Sequence, residues 1–264
     1  MTASLESAPS RNSSINAPIR RRATGESHRP QLAQVTTAFE HRGHENQRIG
    51  TDAARGSHGG EQRAQPEAEQ TNTPNASAAA QLRDGSRYVS PYNDPDVIAG
   101  QATLARELVE QVPNLGTVVV PCGGGGLLSG VILGLEGTGV RVVGVESEAS
   151  PSMSTALAAG RIVPIDVEPT VADGLAGNLE PGAVTVDIAL SHGVNVLTVS
   201  EADVRSAMAF SAHKMGLVLE GAGAVGVAAL RAGVVTPDPG GKETVVILTG
   251  RNVAPKLLSE VLHS

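Results

Sequence analysis

The amino-acid sequence predicts an α/β protein with a doubly wound, mostly parallel sheet. Four short β-rich runs alternate with segments of helical apolar pattern, which is the order expected of βαβ crossovers. The runs are residues 117–121, 141–146, 195–199 and 244–248. The composition also changes near residue 78, where a polar sequence gives way to this alternation. We therefore predict one folded domain over residues 78–264.

The first 77 residues are rich in Ser, Arg, Gln, His, Gly and Pro, and Phe39 is their only aromatic residue. A segment of this kind buries too little apolar surface to offset the entropy lost when its backbone is ordered. We predict that residues 1–77 form a disordered tail. We also hypothesise that they are translated from the wrong reading frame or from a wrongly assigned start.

Charge and composition exclude several classes of partner. The chain carries a net charge of −7, and residues 78–264 hold nineteen acids against eight Arg and three Lys. Such a domain offers no basic surface for a nucleic acid or an anionic membrane. The sequence contains no apolar run long enough to span a bilayer and no signal peptide. A single cysteine fits a reducing cytosol, so we expect a cytoplasmic protein.

Two of the predicted helices have clear starts. Asp94 is a capping residue and Pro95 follows it in the first turn. Ser200 and Asp203 resemble a capping box. The other helical patterns begin near Leu127 or cover residues 150–159, 222–232 and 253–263.

Four consecutive glycines follow the first predicted strand and precede the helix that begins near Leu127. Glycine has no Cβ atom, so this loop can adopt positive φ angles and close its backbone N–H groups around an anion. The start of the helix adds unpaired N–H donors and the positive end of the helix dipole. The loop therefore predicts a phosphate-binding site.

The identity of the phosphate is open on these residues alone. A Walker loop is excluded, since no Gly-Lys-Ser/Thr follows. A dinucleotide fingerprint fits better, with Gly124, Gly126 and Ser129 at nearly the right spacing. Glu146 ends the next strand about twenty residues later, where an acid would bind the ribose. The glycine loop by itself keeps NAD as a candidate.

Seven segments occur in a fixed order along the predicted domain. They are residues 92–103, 123–127, 145–146, 151–153, 172–175, 220–224 and 249–252. Together they resemble the serine/threonine dehydratases that depend on pyridoxal 5'-phosphate (PLP), a family that includes threonine ammonia-lyases and serine racemases. The resemblance implies PLP as cofactor. It also implies the large domain of the tryptophan-synthase-β-like, fold-type II PLP fold, in incomplete form.

The resemblance assigns roles to individual residues. The family's phosphate cup of backbone N–H groups corresponds to Gly123, Gly124, Gly125, Gly126 and Leu127. Thr249 stands where the family places a neutral group against the pyridine nitrogen, which suits β-elimination better than a long-lived carbanion. Gly174 lies in a loop that passes near the cofactor. Glu220 corresponds to the acid near the edge of the ring, although helix capping is an alternative role for it.

The resemblance also raises the question of a metal. In many relatives the acid at Glu146 helps to bind a divalent cation together with a carboxylate six residues later. That later position is Ser152 here, and a hard cation prefers several anionic oxygens. We therefore predict no metal site, with Glu146 as a poor candidate ligand. Cys122 is predicted to be a small core residue rather than a nucleophile.

The family's Schiff-base lysine and its loop for the substrate carboxylate both belong to a part of the family pattern that this sequence does not show. The three lysines, Lys214, Lys242 and Lys256, are predicted to be solvated surface charges. No catalytic residue is identifiable, and we expect the family's N-terminal half to be missing or replaced. The sheet edge left uncovered would favour pairing with another chain, including a second copy.

The resemblance implies an ammonia-lyase that converts L-threonine or L-serine into a 2-oxo acid and ammonia by β-elimination. For lack of the lysine, we expect this chain to be inactive by itself. The alternatives are a non-catalytic PLP-binding remnant, an amino-acid racemase of the same family and a dinucleotide-binding domain.

Overall fold

The computed structural model describes residues 89–238 and 240–263. The predicted tail, residues 1–77, and the first part of the predicted domain, residues 78–88, lie outside the described residues. No helix of the described part is long and apolar enough to cross a bilayer.

The described residues alternate strands and helices, as the sequence predicts. The strands are β1 (Leu115–Pro121), β2 (Arg141–Ser147), β3 (Asn195–Val199) and β4 (Glu243–Val246). The helices are α1 (Pro95–Gln111), α2 (Gly126–Gly134), α3 (Ser152–Ala159), α4 (Val184–Ser191), α5 (Glu201–Phe210), α6 (Gly221–Arg231) and α7 (Pro255–Leu262). A 3₁₀ turn covers Asp173–Leu175, and a π-helical turn, Ser211–Met215, extends α5. Sequence analysis did not find α4.

The predicted helix starts are confirmed at two caps. The Asp94 side chain accepts a hydrogen bond from the Asp96 amide at 2.9 Å, and Ser200 does the same for Asp203 at 3.2 Å. Each bond satisfies one N–H group that the first helical turn leaves without a partner. The last helix begins at Pro255, two residues later than predicted, because proline is favoured in the first turn of a helix.

The four strands form one parallel sheet in the order β3-β2-β1-β4. The chain adds β2 and β3 on one side of β1 and then returns to place β4 on the other side. The sheet therefore has a switch point between β1 and β4, and ligands of such folds bind at the carboxyl ends of the strands beside this point. The predicted α/β fold with a doubly wound parallel sheet is confirmed.

Both faces of the sheet are covered. Val118, Val120 and Val245 pack with residues of α1 to α4 on one face. Val119 and Val246 pack with residues of α5 to α7 on the other. Successive residues of one strand therefore point to opposite faces, and both faces are buried. For this reason the strands appear as continuous apolar runs in the sequence.

Candidate functional site

The switch point brings two predicted site segments to the same edge of the sheet. The glycine loop follows β1, and the segment that contains Thr249 follows β4. The register pairs Val119 with Val246, and the Ile247 amide extends it by donating to the Val119 carbonyl at 2.9 Å. The glycine loop and the segment that contains Thr249 therefore leave the sheet from neighbouring parallel strands.

The glycine loop carries a row of unused hydrogen-bond donors. Among the described residues, no hydrogen bond is made by the amide N–H groups of residues 123–127. Gly125 is the N-cap of α2 and has a φ of 88°, a left-handed conformation that favours glycine. Consecutive amides at such a bend, at the positive end of a helix, form a concave site for an anion. These residues fit a phosphate group.

Close neighbours explain why the loop consists of glycine. A Cβ atom on Gly124 would lie 2.3 Å from the nearest ring atom of Tyr92, and one on Gly123 would lie 3.1 Å from the Leu175 backbone. Larger residues would displace these neighbours. Gly123 and Gly124 are nevertheless half-buried rather than sealed, so part of the loop faces solvent.

Glu220 joins the other predicted site residues. Its amide donates to the Gly250 carbonyl at 3.1 Å, and its carboxylate accepts a hydrogen bond from the Asn252 amide at 2.8 Å. A Cβ atom on Gly174 would lie 3.7 Å from the same carboxylate. The structure therefore brings Gly174, Glu220 and the segment after β4 together.

Glu220 does lie at the start of a helix, as its alternative role in capping requires. Glu220 occupies the N-cap position of α6, but its side chain makes no capping hydrogen bond to that helix. The carboxylate instead binds the Asn252 amide, because the turn after β4 passes directly beside it. Its charge therefore lies next to the segment that contains Thr249.

The Glu146 side chain makes two hydrogen bonds that sequence analysis did not predict. Its side chain is 1% exposed, and its two carboxylate oxygens accept the amides of Met153 at 3.1 Å and Ser154 at 2.9 Å. Burial raises the pKa of Glu146, and the hydrogen bonds from Ser154 and Met153 oppose that rise. Both carboxylate oxygens thus accept hydrogen bonds from amides at the start of α3.

No metal cluster of three or more His, Cys, Asp or Glu side chains occurs in residues 89–238 and 240–263. Ser152, the position at which the family resemblance implies a second carboxylate, is buried. Its hydroxyl has no hydrogen-bond partner in the described part of the chain. The donor set around Glu146 therefore does not fit a hard cation.

Cys122 is a buried free cysteine at the end of β1. Its amide donates to the Val145 carbonyl at 2.8 Å. Burial raises the pKa of the Cys122 thiol well above its usual value, and the nearby charge of Glu146 raises it further. A thiol that resists ionisation is a poor nucleophile, which agrees with the predicted core role.

The side chains of all three lysines lie on the surface of the described part of the chain. Lys214 lies in the π-helical turn, Lys242 precedes β4 and Lys256 lies in α7, and all three are exposed. The prediction that they are surface charges is confirmed.

Sequence analysis missed a group of residues that packs over the glycine loop. The Tyr92 hydroxyl accepts the Glu180 amide at 2.7 Å, and the Asn93 side-chain oxygen accepts the Val184 amide at 2.8 Å. Thr185 donates its hydroxyl proton to the Gly124 carbonyl at 2.8 Å. The first two residues lie in the predicted motif 92–103, whereas no sequence signal pointed to Thr185.

Comparison with known proteins agrees with this arrangement. A family model described as "Pyridoxal-phosphate dependent enzyme" matches residues 53–250, a range that begins before the predicted boundary at residue 78. The L-threonine ammonia-lyase of Thermotoga maritima is 36% identical over 190 residues, which are 71% of this chain and 46% of that enzyme. The chain thus spans about half the length of the curated relatives it matches.

Solved structures share the fold. A threonine deaminase from the organism abbreviated T.th. superposes with a TM-score of 0.59 at 34% identity, over 67% of this chain and 65% of that one. Maize serine racemase gives a TM-score of 0.63 at 28% identity, over 71% of this chain and 58% of that one. These similarities agree with the parallel α/β fold.

Proposed function

Since this chain belongs to the family of pyridoxal-phosphate dependent enzymes, we propose that residues 123–127 bind the phosphate of PLP. The observation that carries the proposal is the run of five amide N–H groups without partners among the described residues, at the start of α2. Thr249 is proposed to lie against the pyridine nitrogen, with Gly174 and Glu220 near the ring.

The proposed reaction of the family member is ammonia-lyase elimination from L-threonine or L-serine. The amino acid loses its α-proton and its β-hydroxyl, and hydrolysis of the resulting enamine yields a 2-oxo acid and ammonia. PLP, when bound, supplies an electron-accepting ring that stabilises negative charge at the α-carbon. The similarity to an L-threonine ammonia-lyase supports this substrate class.

The second part of the proposal is that this chain binds the cofactor but does not turn over substrate by itself. The family's chemistry needs a lysine at the cofactor, and the three lysines of this chain are all exposed. Cys122 is buried as a thiol, so it offers no substitute nucleophile.

Racemisation is the second candidate, because maize serine racemase shares the fold over 71% of this chain. A dinucleotide-binding role is less well supported. The acid that would bind a ribose, Glu146, is buried and already accepts two amides of α3. We also keep as proposals a cytoplasmic location and self-association through the sheet edge.

The test is PLP binding measured together with turnover. Purified chain is titrated with PLP and with pyridoxal, which lacks the phosphate, while ligand absorbance and fluorescence are recorded. We expect PLP to bind, inorganic phosphate to displace it and pyridoxal to bind more weakly. Equal affinity for PLP and pyridoxal would refute the phosphate site.

Turnover is measured in the same samples with L-threonine and with L-serine. We expect no 2-oxobutanoate, no pyruvate and no D-amino acid. A 2-oxo acid product would overturn the proposed inactivity and support the lyase, whereas a D-amino acid would favour the racemase. The matched control replaces Lys214, Lys242 and Lys256 by Arg, which removes covalent capture of PLP by lysine side chains. NADH fluorescence titration tests the dinucleotide alternative.

A further inference from the structure

We propose that Thr185 is a positioning residue, whose hydroxyl orients the peptide bond between Gly124 and Gly125 so that the Gly125 N–H faces the bound phosphate. The inference rests on the proposed phosphate site. It adds a residue that lies outside the glycine loop and outside every motif found in the sequence.

The hydrogen bond of Thr185 carries this inference. The Thr185 hydroxyl donates to the Gly124 carbonyl at 2.8 Å, and Thr185 is fully buried. In a trans peptide the carbonyl and the following N–H point in opposite directions. Holding the Gly124 carbonyl toward Thr185 therefore turns the Gly125 N–H away from Thr185.

The glycines do not determine this orientation by themselves. Glycine populates positive and negative φ almost equally, so a peptide between two glycines can rotate at little cost. A Cβ atom on Gly125 would lie 2.9 Å from Thr185 Cβ and 2.5 Å from Met153 Cε, so these side chains pack directly against Gly125. The hydrogen bond and this packing select one orientation of the peptide.

The position of Thr185 is itself held from the other side of the loop. Thr185 is the second residue of α4, and the amide of the first, Val184, donates to the Asn93 side-chain oxygen at 2.8 Å. Tyr92, next to Asn93, packs on Gly124 and accepts the Glu180 amide. The segment around Tyr92 and Asn93 thus joins the start of α4 to the glycine loop.

The experiment compares Thr185→Val, which removes the hydroxyl and keeps the shape, with Thr185→Ser, which keeps the hydroxyl. Each is titrated with PLP and with pyridoxal. We expect Thr185→Val to lose about tenfold in affinity for PLP, the size of one lost hydrogen bond to a preorganised donor. Its affinity for pyridoxal should not change, and Thr185→Ser should bind both ligands like the wild type.

Two results would overturn the role of Thr185. One is a Thr185→Val protein that binds PLP as tightly as the wild type. The other is an equal loss of affinity for PLP and pyridoxal, which would indicate a general structural role. The wild-type comparison of PLP with pyridoxal tests the phosphate site, and the Thr185 variants test the inference. A wild type that prefers PLP together with an unaffected Thr185→Val would therefore overturn the inference alone.

A second measurement covers the case in which Thr185→Val does not fold. Wild type, Thr185→Ser and Thr185→Ala are labelled with ¹⁵N-glycine, and their amide spectra are recorded with inorganic phosphate. We expect phosphate to shift the Gly125 signal in the wild type and in Thr185→Ser, and to shift it much less in Thr185→Ala. Equal shifts in all three would contradict the proposal.

Discussion

The backbone amide of Asn252 donates a hydrogen bond to the carboxylate of Glu220 at 2.8 Å, although 32 positions separate the two residues. A second bond joins the Glu220 amide to the Gly250 carbonyl at 3.1 Å. Together they tie the start of α6 to the turn after β4. The turn includes Thr249, so Glu220 holds a proposed cofactor contact in place.

Replacing Glu220 by Ala should therefore loosen the turn. We expect a loss of about 1 kcal/mol in the free energy of unfolding, the usual net contribution of one hydrogen bond, and weaker PLP binding. Glu220→Gln retains an acceptor oxygen and should lose less of both. Urea unfolding and PLP titration measure the two effects. If Glu220→Gln and Glu220→Ala were equally impaired, the hydrogen bond to Asn252 would not be the cause.

Glu146 provides a test that depends on pH. Burial raises the pKa of Glu146 above its ordinary value of 4.5, so the folded state holds the proton more tightly than the unfolded state does. The stabilisation from this proton is complete below pH 4.5 and is lost as the pH rises through the folded pKa. Glu146→Gln cannot ionise and should not show this loss.

The measurement is the difference in free energy of unfolding between the wild type and Glu146→Gln, from about pH 4 to about pH 8. We expect the wild type to lose stability relative to the variant as the pH rises. A constant difference would contradict the raised pKa. Glu146→Ala removes both acceptors of α3 amides and should cost about 2 kcal/mol, the upper range for a lost helix cap.

Gly124 tests how closely Tyr92 packs on the phosphate loop. A Cβ atom at this position would lie 2.3 Å from the ring, so Gly124→Ala should displace Tyr92 or the loop. We expect a loss of about 1–3 kcal/mol in stability, as for other overpacked sites, and a loss of PLP binding. Both are measured by urea unfolding and ligand titration.

Gly100 offers a matched control for that substitution. It lies in α1 and is exposed, and a Cβ atom added to it would meet no atom of the described residues within 4 Å. Gly100→Ala should raise stability by up to about 1 kcal/mol, because alanine is the better helix former, and it should leave PLP binding unchanged. Equal effects of the two alanine substitutions would show that steric contact with Tyr92 is unimportant.

Replacing Ser152 is expected to stabilise the protein. Its hydroxyl is buried without a hydrogen-bond partner in the described residues, which costs free energy on folding. Ser152→Ala should raise the free energy of unfolding by about 1 kcal/mol. Ser154→Ala is the control, because the Ser154 hydroxyl donates to the Pro151 carbonyl at 3.4 Å. Similar gains in both variants would indicate helix propensity rather than the buried hydroxyl.

Local sequence patterns were sufficient for much of the fold and part of the site. Three features could be predicted because each depends on interactions within a few residues. They are the cap at Asp94, the β-rich runs and the glycine loop. Helix α4 was not found, because its eight residues carry no capping side chain and only a short apolar pattern. The glycine loop alone did not distinguish PLP from NAD. The resemblance of the seven ordered segments to a PLP-dependent family predicted PLP.

Only the tertiary structure decided what the polar groups around the loop contact. Thr185 reaches the Gly124 carbonyl across 61 positions, and Glu146 accepts amides of a helix start in place of a ribose or a cation. The sequence by itself determined the four strands, the glycine loop and the helices other than α4, since those depend on near neighbours. The partners of Thr185, Glu146 and Glu220 were decided by how the finished elements pack, because hydrogen bonds between distant residues exist only once the sheet has set their separation.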